Sequence, residues 1–339
     1  MLSRRKMLAI AVAFACVHCG ILFAGFFAPY SPSEQHREYA YAPPTRLHFR
    51  DAQGHIHLRP FVYCSVLVEG DGFEYQEDRS SEYPVRFLAR DANGKHLLAV
   101  NTPANLFLLG TDGYGRDIFS RILFGGRTSL LAAAVATFLS LLIGAVLGGI
   151  AGQFGGIVDS FVMRGTELVL ALPWIYLLLA IRASLPLHIE PAKTFFLLSA
   201  VIGVMGWARP ARLIRGAVLS AKERPFVTAA RGFGASEWYL LRRHVLPQTL
   251  GIITAQAVTL IPQFIAAEAT LSFLGLGIGE PMPSWGNMLS AFQQFQTVSS
   301  YWWMAFPLVA LVAVSLTYFM LADALHHAGA RINSGQSYA

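Results

Sequence analysis

Apolar and polar residues in this chain do not alternate on the scale of single strands or helix faces. They segregate into long blocks. Residues 7–28 form a predominantly apolar run, and five more follow at about 128–152, 164–185, 194–214, 250–277 and 302–323. A helix rises about 1.5 Å per residue, so the first run alone reaches about 33 Å, enough to cross a bilayer core. The pattern predicts an all-α polytopic membrane protein with six transmembrane helices. The first run follows the basic start MLSRRK and ends FFAPYSP. A signal peptide has an apolar region of about 7–15 residues and a small-residue cleavage site. The longer run here is expected to stay as the first helix, and residues 1–28 read as a cytoplasmic N-terminus plus that helix.

Residues 29–108 break the pattern. They carry half of the acidic residues, with several Pro, Gly and His. DAQGHIHLRPFVY (51–63) and VRFLARDANGKHLLAV (85–100) read as short strands around D-A-x-G turns. A small extracytoplasmic β-rich insertion after the first helix is expected here. The segment LGTDGYGRDIFSRILFGGR (109–127) looks amphipathic, with Ile118, Ile122 and Leu123 on one face and Arg116, Ser120 and Arg121 elsewhere. It is expected to lie along the outer interface before the second span. With the N-terminus inside, alternation puts 153–163, 215–249 and the C-terminus, including the tail 332–339, in the cytoplasm. Residues 208–247 support that topology, with eight Lys or Arg against Glu223 and Glu237. Trp302 and Trp303 open the last run, where an aromatic belt is expected.

Composition narrows the class further. Hydrophobic residues make up 54% of the 339 and charged residues only 14%, against about 25% in soluble domains. The net charge of +6 would suggest nucleic acid in a soluble protein; here it follows from topology, and no nucleic-acid partner is expected. Cys16 and Cys19 form a C-x-x-C inside the first apolar run, where they read as small apolar fillers. Cys64 stands apart, so no disulfide framework is expected. There is no G-x-x-x-x-G-K-[ST] phosphate loop, H-E-x-x-H or G-x-S-x-G. The chain is therefore expected to be no enzyme, to have no catalytic residues and to bind no cofactor itself. His55 and His57 alternate on one expected strand, but two ligands without a third do not make a metal site. Gly144, Gly148, Gly152 and Gly156 recur every four residues, a stripe that lets helix backbones approach closely, within the subunit or against another.

The stretch with most to explain is the basic, glycine-broken segment FVTAARGFGASEWYLLRRHVLP (226–247). Pro225 suits the first turn of a helix, Gly234 can end it in the left-handed conformation, and Ser236 with Glu237 can start another. Phe226, Ala230 and Phe233 are expected on one face of the first helix. In the second, Trp238, Leu241 and Val245 are expected on one face with Arg242 and Arg243 elsewhere, and Pro247 at the end. A DNA-binding helix–turn–helix tethered so close to membrane is disfavoured, as is a loop without a partner. A docking element for a cytosolic protein fits best.

This stretch resembles the EAA loop of ABC-importer permeases, E-A-A-x3-G-x9-I-x-L-P. Ala229, Ala230, Gly234, Leu246 and Pro247 match in register, while Thr228 stands for the Glu and His244 for the Ile. The segments at 109–130, 267–289 and 321–331 are similar to other segments of the dipeptide/oligopeptide branch, so the resemblance covers most of 109–331 and leaves the insertion outside. It implies a C-type permease subunit of an ATP-driven importer in the bacterial inner membrane, supplying half of the translocation path. It implies a second homologous permease subunit, two ATPase subunits that use the ATP, and an extracytoplasmic substrate-binding protein as partners, besides membrane lipid. The ATPase would dock on the loop 221–247 through Thr228, Ala229, Ala230, Arg231, Gly232, Gly234, His244, Leu246 and Pro247. Peptides are the expected cargo; nickel or another small solute fits the same motifs. An ion-coupled secondary transporter is the alternative, but it calls for inverted repeats and a paired ionisable network at mid-membrane. Glu268, with Ser272 one turn on, lies in the fifth apolar run and is the candidate for the translocation path, since a carboxylate in a membrane needs a cavity or a polar partner.

Overall fold

The computed structural model describes residues 4–68, 73–91, 94–184, 186 and 190–335. Helix α1 (Arg4–Leu22) leads into the short α2 (Ala24–Phe27). Among the described residues five strands follow: β1 (His48–Arg50), β2 (Ile56–Leu67), β3 (Tyr75–Pro84), β4 (Arg86–Asp91) and β5 (Gly94–Ala99). After β5 the described residues form helices joined by loops and short 3-10 turns. The helices are α3 (Ile118–Phe154), α4 (Gly156–Ala171), α5 (Trp174–Ala183), α6 (Pro191–Met205), α7 (Ala208–Lys222), α8 (Pro225–Gly232), α9 (Glu237–Leu240), α10 (Leu250–Phe273), α11 (Trp285–Leu289), α12 (Phe295–Ser300) and α13 (Phe306–Gly335). The chain forms two compact units. One comprises Met1–Phe14, Leu130–Leu271 and Val314–Ala339; the other comprises Ala15–Ser129 and Ser272–Ala313.

Among the described residues, three helical stretches are long and apolar enough to cross a membrane: Ile118–Phe154, Glu237–Phe273 and Trp302–Leu325. Two bent pairs raise the number to five if each is one span, and Met7–Leu22 is a shorter apolar helix. The difference from six uniform runs has local causes. The expected third span breaks between α4 and α5 with an 88° bend at Pro173, which has no N–H to continue the ladder. The expected fourth bends by 45° between α6 and α7, at Gly206 and Trp207. Pro262, by contrast, lies inside an unbroken α10.

In the strand-bearing unit, β1, β2 and β3 form an antiparallel sheet in that order, and β4 pairs with β5. Val62, Val85, Ala104 and Leu106 make its small core. The first D-A-x-G segment turns at Gly54, with φ +95°, and Asp51 Oδ1 accepts the His55 N–H at 2.7 Å. Ala92 and Asn93 of the second D-A-x-G segment lie outside the described residues.

The segment 109–127 is not a separate interfacial helix. Residues 110–117 are a tight loop, and α3 starts at Ile118 and continues through Phe154. Asp117 explains the start: its Oδ2 accepts from the Ser120 N–H at 2.8 Å and the Ser120 hydroxyl at 2.6 Å, an N-cap. Burial pushes its carboxyl up to about 7, against those hydrogen bonds, which pull it down. Arg116, Ser120 and Arg121 are buried together with Ile118 and Ile122, so the expected polar face is absent. Trp303 is likewise buried, donating from Nε1 to the Thr111 carbonyl at 3.2 Å, and only Trp302 stays largely exposed.

In the other unit, the glycine stripe packs α3 against α7. A Cβ on Gly144 would lie 2.7 Å from Pro210, one on Gly148 2.3 Å from the Ala211 carbonyl oxygen, and one on Gly152 2.8 Å from Val218. The stripe therefore serves contact within the subunit, and its last member, Gly156, faces open space. Lys222 Nζ donates to the Gly152 carbonyl at 3.1 Å, a cation on the C-terminal end of α3. Arg215 of α7 clasps Asp159 of α4 with two guanidinium hydrogen bonds.

Candidate functional site

The segment after α7 folds as a knob with a buried root and an exposed crown. Arg224 is extended at ψ 142°, and Pro225 occupies the first helical position of α8, where its missing N–H removes nothing. The helix ends at Phe233. Gly234 has φ +87°, its N–H donates to the Arg231 carbonyl at 2.9 Å, and the Ala235 N–H reaches the Ala230 carbonyl at 3.2 Å. These two bonds are the Schellman pattern, which needs a left-handed residue at the position of Gly234. Ser236 then caps α9, accepting from the Tyr239 N–H at 3.3 Å. A Cβ at Gly234 would meet no atom within 4 Å, so Gly234→Ala carries only the backbone penalty. It is expected to lower stability by about 1 kcal/mol, read as a small drop in melting temperature.

The root is apolar. Val227 of α8, Leu240 of α9, and Leu241 and Val245 beyond it are buried against Ile214, Val218 and Ala221 of α7. Leu246 packs on the same cluster. Glu237 ties the hairpin shut. Its carboxylate accepts from Arg231 Nε at 2.8 Å and from Gln153 Nε2, near the end of α3, at 2.5 Å. The crown is apolar as well, but open: Phe233 is 91% exposed, Trp238 58%, Tyr239 52% and Phe226 46%. Thr228, Ala229, Arg231, Gly232, Arg242, Arg243 and Pro247 are exposed with them, and Ala230 is partly buried. Thr228 only bonds back to the Arg224 carbonyl, at 3.4 Å. The His244 ring lies 5.6 Å from Tyr239 and 6.2 Å from Phe226, tying the two helices together from the crown side.

Two sequence expectations fail here. Trp238 does not share a face with Leu241 and Val245; Leu240 is the buried partner and Trp238 points outward. Pro247 does not end the second helix either. After α9 the backbone widens to a π turn at Leu241–Val245, tightens to 3-10 at Leu246–Thr249, and continues as α10. A proline ring clashes with the carbonyl four residues back, and a π turn relieves that clash without ending the helix. The knob is thus continuous with a helix long and apolar enough to cross a membrane.

Glu268 is fully buried on α10. Ser272, in the other unit, is buried too, and its Oγ accepts the Ile278 N–H at 3.2 Å, fixing the turn after α10.

A charged cluster in the strand-bearing unit was missed from sequence. Asp112 accepts from Arg116 Nε at 2.7 Å, and Glu280 receives Arg116 Nη1 and Arg121 Nη2, each at 2.8 Å. Both arginines are at least nine-tenths buried. Together with Tyr41 and Gln294 they line a cavity of about 510 Å³. The only sequence signal was the density of charge in TDGYGRD. Glu280 is the half-exposed member of the cluster, and without its charge the buried arginines keep Asp112 and the Pro32 carbonyl as partners. Glu280→Gln is therefore expected to destabilise the unit by about 1 kcal/mol, measured as a lowered thermal midpoint in detergent.

A family model described as the binding-protein-dependent transport system inner membrane component matches residues 144–328. A putative peptide permease protein of Brucella suis is 37% identical over 248 residues, covering 73% of this chain and 80% of the relative. The dipeptide transport system permease protein of Bacillus subtilis is 38% identical, covering 65% and 67%. The oligopeptide transport system permease protein of Haemophilus influenzae is 34% identical, covering 71% and 76%.

Proposed function

The chain belongs to the family of binding-protein-dependent transport system inner membrane components, and from that premise we propose that it is a peptide-importer permease subunit whose knob at 221–247 docks an ATPase. The observation that carries the docking role is the crown: four large aromatic side chains are exposed on a hairpin that is rooted through the fully buried Val227 and Leu240. Monomeric soluble surfaces rarely leave such a patch open, and aromatic anchors dominate protein interfaces. The glycine and alanines beside it leave room for close approach.

In this reading both termini and the knob lie in the cytoplasm. The two bent helix pairs and the N-terminal helix complete six crossings, and the insertion faces outward. A second permease subunit completes the path, a binding protein delivers peptide, and two ATPase subunits hydrolyse ATP. ATP-driven closure of the ATPases moves the knobs. Because α9 runs on into α10, a rotation of the knob reaches the membrane without crossing a loop. Thr228 lacks the carboxylate usual at its position, so docking rests on apolar contact with Arg231–Glu237 holding the knob's shape. Glu268 and Ser272, both buried in the single chain, stay the candidates for the translocation path.

Transport tests the cargo. Inside-out membrane vesicles, in which ATP is supplied at the cytoplasmic face, would be loaded with the binding protein and a labelled dipeptide. ATP is expected to drive the label out of the lumen, and a protonophore is expected to leave that flux unchanged. Flux abolished by the protonophore with ATP present would contradict the reading in favour of ion coupling.

A further inference from the structure

The outer sheet gathers metal-ligand chemistry that the sequence left scattered. Asp51 is the residue that opens the β1–β2 turn, His57 is on β2 and Glu82 is on β3. One donor atom from each lies within 4.8 Å of the other two. His57 Nε2 is 3.1 Å from Asp51 Oδ2 and 3.8 Å from Glu82 Oε2. His55 Nδ1 is 3.1 Å from the same Asp51 oxygen.

We propose that Asp51, His57 and Glu82, with His55 as a fourth donor, bind one divalent transition-metal ion of the zinc class. Zinc bonds to nitrogen and oxygen are about 2.0–2.2 Å long, so donors at the corners of a tetrahedron stand about 3.3–3.6 Å apart. The observed separations bracket that edge. Imidazole nitrogen with carboxylate oxygen suits zinc and its neighbours, whereas calcium and magnesium take oxygen alone. Two carboxylates with two neutral imidazoles also leave two negative charges for a dication to balance.

The site is held in place before any ion arrives. The Asp51 side chain is only 8% exposed. Its second oxygen is fixed by the His55 N–H, and the turn is closed by the Gly54 N–H to the Asp51 carbonyl at 3.1 Å. The His57 ring stands edge-on to Phe61 at 5.3 Å, which limits its rotation. His55 is 77% exposed and can swing onto an ion. An ion here would tie the β1–β2 turn to β3.

The test uses the full-length chain in detergent, purified through a histidine-free tag and stripped with chelator. Equilibrium dialysis against zinc with excess magnesium is expected to leave one zinc per chain. Cobalt in its place is expected to give the visible absorption of a tetrahedral site. His57→Ala and Asp51→Asn are each expected to weaken zinc binding by about tenfold or more. His48→Ala, which removes the separate His48–Glu77 pair of the same sheet, is expected to leave it unchanged. Failure of the wild-type chain to retain zinc over magnesium overturns the proposal, with no variant needed. Equal zinc binding in His57→Ala, Asp51→Asn and wild type overturns it too, by placing the ion elsewhere.

Discussion

Phe233→Asp is expected to strip the ATPase from this chain while the membrane subunit stays folded. The side chain is 91% exposed, so replacing it removes almost no packing within the subunit. Its position is the helix cap, just before the left-handed Gly234, where an aspartate causes no backbone conflict. The loss falls on the partner, which would have to bury a carboxylate where it buries an aromatic ring. Truncating a central aromatic anchor costs about 2–4 kcal/mol, or about 30- to 1,000-fold in affinity, and a buried charge adds to that. Co-purification from gently solubilised membranes measures the loss, and an unchanged melting profile of the isolated subunit checks that the fold survives. Loss of both together would make Phe233 a folding residue.

Gly148→Leu is expected to do the opposite: to destroy the fold, and with it every partner contact. An added Cβ would lie 2.3 Å from the Ala211 carbonyl oxygen and about 3.0 Å from two further backbone atoms of α7. A flexible side chain can rotate away from a clash; a helix backbone cannot. The two helices would have to separate, and they carry the Gly152–Lys222 contact and the root of the knob with them. Overpacking of this kind costs about 1–3 kcal/mol where neighbours yield and more where they do not. Gly156→Leu, two positions of the stripe further on but facing open space with φ +57°, is expected to show only the backbone penalty. Thermal unfolding and membrane yield of the two variants separate these cases.

How much of this was legible in the sequence depends on the range of the interaction. The segregation of apolar blocks gave the membrane class and most helices. Pro225, Gly234 and Ser236 gave the knob, because caps and left-handed turns depend on the residue itself and its nearest neighbours. Pro173 breaks its helix by the same local rule, whereas Pro262 sits inside an unbroken α10. What failed needed three dimensions. Trp238 and Leu240 are two residues apart, and only the packing against α7 decides which is inside. Pro247 ends a regular helix by local rule, yet a π turn absorbs it. The arginines at 116 and 121 read as a polar face until Glu280, about 160 residues later, arrives to pair with them. His57 lacked a third ligand in the sequence because Glu82 reaches it only when β3 pairs with β2.

The most direct test of the docking account is a cross-link in native membranes. Cys16, Cys19 and Cys64 would be replaced by serine, and a single cysteine placed at Phe233 or, as control, at the fully exposed Leu58 of β2. A short photoactivatable thiol reagent then reports the nearest neighbour of each position. The account predicts that Phe233→Cys yields an adduct with an ATPase subunit, identified by mass spectrometry, and that Leu58→Cys yields none. An ATPase that co-purifies with the chain yet never cross-links at position 233 would contradict it, and would move the docking surface away from the knob.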